Sequence, residues 1–228
     1  MNAKESLKRL WEEMKPMSWP KRIDHIWTYY KEVIGLIVLA LVIIIGFISS
    51  FIDANKVNLI NGMMVNITME QTGYNYLTTD FGKQVITQDD EEVTLEYTEF
   101  SSMADPTSGE DNYYAAMTLI AEVEAKRLEY VIHDKLSLEF YLTQEVFMDL
   151  QEFFTAEELA QWESKLIYGY EEDTGRKWVA AVDITDIAYV QDNVTSEGPI
   201  YFSLGGSTQK LDMCRAMWEH ILAWETTK

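Results

Sequence analysis

The sequence is poor in four kinds of residue. Its 228 residues include one cysteine, three histidines, four prolines and 18 lysines and arginines against 38 aspartates and glutamates. Cys214 alone cannot form an intramolecular disulfide, and an exported domain without disulfides is more typical of a bacterial surface than of a eukaryotic secreted module. His25, His133 and His220 are too scattered for a histidine metal cluster. The formal net charge of −20 argues against nucleic-acid binding, which needs a basic face.

Sequence motifs for catalysis are also missing. The chain has no G-x-S-x-G, no Walker A pattern and no G-x-G-x-x-G. Cys214 falls on the apolar stripe of a predicted helix, which indicates a buried thiol. Asp183 and Asp186 lack the spacing of an EF-type calcium loop. The glycines at 205–206 could present a helix N-terminus to an anion or simply form a turn. We therefore predict no enzyme, no cofactor and no metal site.

One long hydrophobic run is present. Residues 33–52 contain no charge and are dominated by Ile, Leu and Val. At ~1.5 Å per residue, a helix of this length covers ~30 Å, the hydrocarbon thickness of a bilayer. A secretory signal peptide is the rival interpretation, but its apolar region is shorter and ends at a small-x-small cleavage site, and Ser49-Ser50-Phe51 is a poor one. We predict an uncleaved membrane anchor within a helix over 21–52.

The charges that flank this run predict its orientation. Residues 1–32 carry seven Lys and Arg against five Asp and Glu, and only Lys56 is a nearby basic residue on the other side. Under the positive-inside rule the N-terminus is cytoplasmic and the C-terminal part is extracellular. That part, 53–228, has 11 basic and 33 acidic residues. Most of this negative charge is expected to be a solvated surface, with attraction for cations or basic peptides as the alternative.

The N-terminal segment, 1–20, is predicted to be a cytoplasmic amphipathic helix. Apolar residues recur at helical spacing within 4–15, and basic residues occupy the other side. Such a helix suits membrane lipid with an anionic headgroup or a partner's cytoplasmic helix. Trp27, Tyr29 and Tyr30 precede the span, where aromatic rings favour the headgroup level.

After a predicted short tether over 53–61, the pattern changes to alternating strands and helices over 62–228. Strands are predicted at 63–69, 93–100, 128–134 and 198–204, with a hairpin formed by 167–170 and 177–184. Helices are predicted at 74–87, 113–127, 136–150 and 211–222, and a further one follows the Thr155–Glu158 capping box. Asn112 is the predicted cap of the second helix, and Ser207 or Thr208 that of the last. This alternation predicts an α/β domain with a mostly parallel sheet.

From residue 112 onward, the order of elements resembles one lobe of the bacterial extracellular, type 2 periplasmic solute-binding proteins that serve ABC importers. The similarity rests on these segments: the helix at 112–127, the strand LEYVIHD at 128–134, EVFMDL at 145–150, TAEEL at 155–159, the strand at 198–204 and the helix at 211–224. The resemblance implies one lobe of a periplasmic-binding-protein fold. That family has two lobes with ligand held between them, and here only one lobe is present. The layout also resembles small single-pass membrane proteins of unknown function from Gram-positive bacteria.

Ligands in an open parallel sheet gather at the carboxyl ends of its strands. The residues predicted for ligand or partner binding are Thr72, Gly73, Tyr74, Ser101, Ser102, Met103, Tyr113, Tyr114 and Asp134. Two functions are left open. The first is a membrane-anchored accessory or interaction protein that docks on another envelope protein, such as a transporter. The second is a ligand-binding receptor domain for a small solute or peptide.

Overall fold

The computed structural model describes residues 12, 15–54, 56–100, 110–170 and 175–225. It divides into two compact units, Met1–Lys56 and Val57–Lys228. Residues 1–11 and 13–14 of the predicted amphipathic helix over 1–20 lie outside the described residues. Ser101, Ser102 and Met103 lie outside them as well.

The first unit is dominated by one helix, α1, Trp19–Ala54. Within it, Tyr30–Ile48 spans 19 residues with a mean hydropathy of 2.6, long and apolar enough to cross a membrane. Its Leu, Ile and Val side chains are exposed within the unit, which is typical of a helix whose apolar partner is not protein. These properties fit a single-pass anchor or a signal sequence. Trp27 is exposed and Tyr30 half-buried, and the side chain of Tyr29 lies outside the described part.

The second unit is built on a six-stranded sheet in the order β3-β1-β4-β8-β6-β5. Its strands are β1 (Val57–Val65), β3 (Glu91–Thr98), β4 (Tyr130–His133), β5 (Leu166–Tyr170), β6 (Lys177–Asp183) and β8 (Tyr201–Leu204). β1 pairs in parallel with β3 and with β4. The pairings β4–β8, β8–β6 and β6–β5 are antiparallel. The predicted α/β class is confirmed, and the sheet is mixed. A small ladder joins β2 (Thr68–Met69) to β7 (Val194–Thr195).

Helices cover both faces of the sheet. On the first face, a helical stretch of three parts (α2, Gln71–Asn75; a π-turn, Tyr76–Asp80; α3, Phe81–Val85) packs with α6 (Ala156–Gln161), α7 (Ala188–Asn193) and α8 (Leu211–Leu222). On the second face lie α4 (Glu110–Glu124) and α5 (Lys135–Leu142). Because both faces are covered, every residue of β1 from Ile60 to Val65 is buried.

A glycine fixes the packing between the two central parallel strands. Gly62 of β1 is paired with Tyr130 of β4. A Cβ at Gly62 would lie 2.2 Å from the Cζ atom of the Tyr130 ring. The ring therefore crosses β1 at a position that no larger residue permits, and Tyr130 is fully buried.

Several predicted elements differ in their limits. β1 begins at Val57, so the folded domain starts before the predicted boundary at 62. α4 begins at Glu110, which places Asn112 inside the helix, and it is not the cap. The helix predicted over 136–150 was wrong beyond Leu142, because Val146 and Phe147 turn inward as extended chain and Phe147 forms a bridge with Gly205.

Among the other predicted caps, one was right and one was wrong. The capping box of Thr155 and Glu158 is confirmed, since each residue's side chain accepts the other's backbone N–H. The predicted cap of α8 by Ser207 or Thr208 was wrong. The Ser207 hydroxyl donates instead to the carbonyl of Val123, and α8 begins at Leu211 without a side-chain cap. The short helix α7 was not predicted from the sequence.

Candidate functional site

Asp134, which follows β4, is occupied with holding the backbone. Its Oδ1 caps α5 by accepting the Ser137 N–H at 2.8 Å. Asn66 follows β1 and has a left-handed backbone conformation (φ 56°). Its side chain donates to the same Asp134 oxygen at 3.4 Å and accepts the Phe100 N–H at 2.8 Å. The carboxyl ends of β1, β3 and β4 are thus tied together by Asn66 and Asp134. This is a structural role for Asp134, and the carboxyl-edge site remains a prediction.

The residues predicted at 72–74 lie on α2, over the first face. Thr72 is exposed and Tyr74 is half-buried against the core. Gly73 is buried against α7. The Tyr189 hydroxyl donates to its carbonyl at 2.9 Å, and a Cβ at Gly73 would lie 2.6 Å from the Asn193 side chain. Tyr113 and Tyr114 belong to α4 on the second face. The structure therefore does not bring Tyr74 together with these two tyrosines.

A Ser–His pair is present but closed to substrate. His133 Nε2 lies 2.9 Å from Ser203 Oγ, and both residues are 0% exposed. The imidazole stacks on Phe147, with the ring centroids 5.2 Å apart. Burial lowers the pKa of His133 to about 4. The pair consequently acts as a neutral polar contact inside the second-face core.

This buried imidazole predicts a loss of stability in mild acid. An unfolded chain takes up a proton on His133 below about pH 6.5, and the folded domain does not until about pH 4. The stabilising free energy is complete above pH 6.5 and falls by up to ~1.4 kcal/mol per pH unit as the pH drops. In urea unfolding of the full chain in detergent micelles, the stability gap between the parent and His133→Gln should narrow from pH 7 to pH 4. A gap that does not change with pH contradicts this account.

Exposed aromatic residues lie on the outer strand β3 and at the start of α4. Tyr97 of β3 is 52% exposed, and Tyr113 and Tyr114 of α4 are 52% and 65% exposed. The Thr98 hydroxyl donates to the Ala115 carbonyl at 3.4 Å, which places the start of α4 at the carboxyl end of β3. The Tyr97 hydroxyl donates to Glu99 Oε2 at 2.8 Å. We call Tyr97, Glu99, Tyr113 and Tyr114 the tyrosine edge.

The tyrosine edge has a strongly acidic setting. The segment from Asp89 to Glu99 contains Asp89, Asp90, Glu91, Glu92, Glu96 and Glu99, and no basic residue. Among the described strands, β3 has β1 as its one neighbour, so its other edge is unpaired by any of them. Because aromatic side chains stand beside negative charges here, this surface should attract a partner that is basic and partly apolar.

A second feature, which the sequence analysis missed, lies at the opposite ends of the parallel strands. A pocket of about 420 Å³ is lined by Asn58, Asn61, Glu96, Glu122, Lys126, Arg127 and Lys210. Beneath it is Glu129, which is 2% exposed, forms an ion pair with Lys210 at 3.0 Å and accepts the Asn61 N–H at 2.7 Å. The residues come from β1, β3, the end of α4 and the loop before α8. The one sequence signal for this pocket was Glu129, a charged residue directly before the apolar strand β4.

The remaining reactive groups are enclosed or isolated. Cys214 is buried as predicted, and burial raises the pKa of its thiol to about 12. Within the described part of the chain, no group of three or more His, Cys, Asp or Glu side chains is placed to hold a metal ion. Comparisons with protein-family models, curated proteins and solved structures found no match to this chain.

Proposed function

We propose that this chain is a membrane-anchored extracytoplasmic accessory protein whose α/β domain docks on another envelope protein, such as a transporter. The single observation that carries the proposal is the tyrosine edge, where Tyr97, Tyr113 and Tyr114 are exposed at the carboxyl end of an acidic outer strand. Tyrosine is enriched in protein interfaces because it buries a large area while losing little rotamer freedom. Exposed aromatic side chains on adjoining elements are typical of contact surfaces.

The short connection between helix and domain supports the same function. α1 ends at Ala54 and β1 begins at Val57, so two residues separate them. A protein anchored through so short a link samples partners that also reside in the membrane, which raises their effective concentration. The acidic strand favours a partner with a basic surface.

A receptor for a small solute is the second candidate. The polar pocket beneath α4 is the observation that favours it, because its volume of about 420 Å³ is within the range of small-molecule sites. Its location at the amino ends of the parallel strands differs from the carboxyl-end location expected for an open parallel sheet.

Photo-cross-linking in the source cells tests the docking proposal. The full-length chain carries p-benzoylphenylalanine at Tyr114, or at Tyr170 as the control. Tyr170 is also exposed, at 67%, but lies on β5, the outer strand at the other side of the sheet. We expect one dominant envelope-protein adduct from position 114 and none from position 170.

Two further readouts separate a specific interface from chance capture. Tyr97→Ala should reduce the position-114 adduct roughly tenfold if Tyr97 is an anchor. Raised salt should also weaken the adduct, because the acidic strand attracts its partner electrostatically. The same adducts from both positions, or a yield that Tyr97→Ala leaves unchanged, would count against the proposal.

A further inference from the structure

The pocket beneath α4 has a buried polar floor. Asn61 and Glu129 are each 2% exposed, although they belong to or adjoin strands that are otherwise apolar. Asn61 accepts from Thr94 Oγ1 at 2.7 Å and donates to Glu96 Oε1 at 3.1 Å. A polar network of this kind is seldom more stable than apolar packing of the same volume. Its presence beside an open cavity therefore indicates a role other than stability.

Positive charge is concentrated around the mouth of this pocket. Lys126, Arg127 and Lys210 line it, although the domain Val57–Lys228 has only ten basic residues. Arg127 is held by two hydrogen bonds to Glu122, at 2.9 and 2.7 Å. Lys126 has a left-handed backbone (φ 58°), a conformation that costs a non-glycine residue roughly 1 kcal/mol. The three cations are balanced by Glu96, Glu122 and Glu129.

The hydrogen-bonding capacity of these groups is not used up. Lys210 Nζ donates to the Asn58 carbonyl and pairs with Glu129, which leaves one of its three N–H groups. Within the described residues, Lys126 has no ion-pair partner and the second carboxylate oxygen of Glu96 accepts no hydrogen bond. Asn58 Oδ1 is buried without a hydrogen-bond partner. Cationic donors and an anionic acceptor are thus both left available.

We propose that this pocket binds a small zwitterion, with its ammonium group on Glu96 and its acid group on Lys126 and Lys210. A simple anion is repelled by Glu96 and by the strong negative charge of the domain, and a simple cation is repelled by Lys126 and Lys210. A ligand that carries both charges satisfies both sets of groups. The same chemistry is offered by a free amino acid and by a phosphoethanolamine headgroup. The site is separate from the tyrosine edge and does not depend on the docking function.

Saturation-transfer NMR on the full-length chain in detergent micelles tests the proposal. The probes are glycine, β-alanine, γ-aminobutyrate and O-phosphoethanolamine, with butyrate and butylamine as single-charge controls. At least one zwitterion should bind saturably and at least tenfold more tightly than either control. Glu96→Gln, which keeps the acceptor for Asn61, and Lys126→Gln should each weaken that binding at least tenfold. Glu157→Gln and Lys83→Gln, the matched charge changes elsewhere on the surface, should leave it unchanged.

Two outcomes would overturn the proposal: no saturable binding of any zwitterion, or binding that the pocket variants do not weaken more than the matched variants. The source of the ligand is identified in lipid nanodiscs. A phosphatidylethanolamine bilayer should reduce binding of the free probe, relative to phosphatidylcholine, if headgroups fill the pocket. Equal binding in the two bilayers assigns the site to a free solute. Loss of zwitterion binding would leave the cross-link from position 114 unaffected, so the two proposals fail separately.

Discussion

Lys210→Met is expected to lower the free energy of unfolding by about 3 kcal/mol, the scale for removing one partner of a buried ion pair. Glu129 is 2% exposed, and its carboxylate is neutralised by the Lys210 ammonium 3.0 Å away. Without the lysine, the Glu129 carboxylate stays buried at the amino end of β4, and the Asn61 N–H at 2.7 Å is its remaining close donor. Urea unfolding of the full chain in micelles, followed by tryptophan fluorescence, measures the change.

The double variant separates the charge from the packing. Glu129→Gln keeps an oxygen for the Asn61 N–H but removes the charge, so Lys210→Met with Glu129→Gln should recover much of the lost stability. Lys83→Met is the matched control. Lys83 and Asp80 form a surface pair with side chains 68% and 50% exposed, and such pairs contribute little. A Lys210→Met effect no larger than that of Lys83→Met would show that Glu129 does not need its partner.

The sequence predicted the α/β class because hydrophobic periodicity depends on local spacing. The capping box at Thr155 and the hairpin of β5 and β6 were predicted for the same reason, since each is specified within a few consecutive residues. The antiparallel pairings of β8 with β4 and with β6 were not predicted. β8 lies between β4 and β6, and the direction in which a strand enters a sheet depends on long-range packing.

The start of β1 shows why the polar pocket was missed. The segment 53–61, which contains Asn58 and Asn61, was predicted to be a tether. In the folded chain both are strand residues. Their side-chain amides donate to Thr94 and Glu96, and the Asn61 backbone N–H donates to Glu129, all of them distant in sequence. A single sequence does not show which distant residues meet. Tyr113 and Tyr114 were among the residues predicted for ligand or partner binding, and that role stays a prediction.

Val146 and Phe147 show a similar limit. Their apolar character continued the helical pattern of α5, and the chain has no proline or glycine there to end it. The helix ends at Leu142, and Glu145 adopts a left-handed backbone with φ 52°. Burial of Val146 and Phe147 in the second-face core decides the conformation, which is a tertiary effect.

The measurement that tests the account most directly is cysteine labelling in intact cells, because both proposals need the domain to lie outside the cytoplasm. Cys214 is 0% exposed, so the parent chain should not react with a membrane-impermeant maleimide. Tyr170→Cys, at a position 67% exposed, should be labelled in intact cells. Lys4→Cys should be labelled only after the membrane is permeabilised. Labelling of Lys4→Cys in intact cells, with Tyr170→Cys protected until permeabilisation, would reverse the topology and contradict the account.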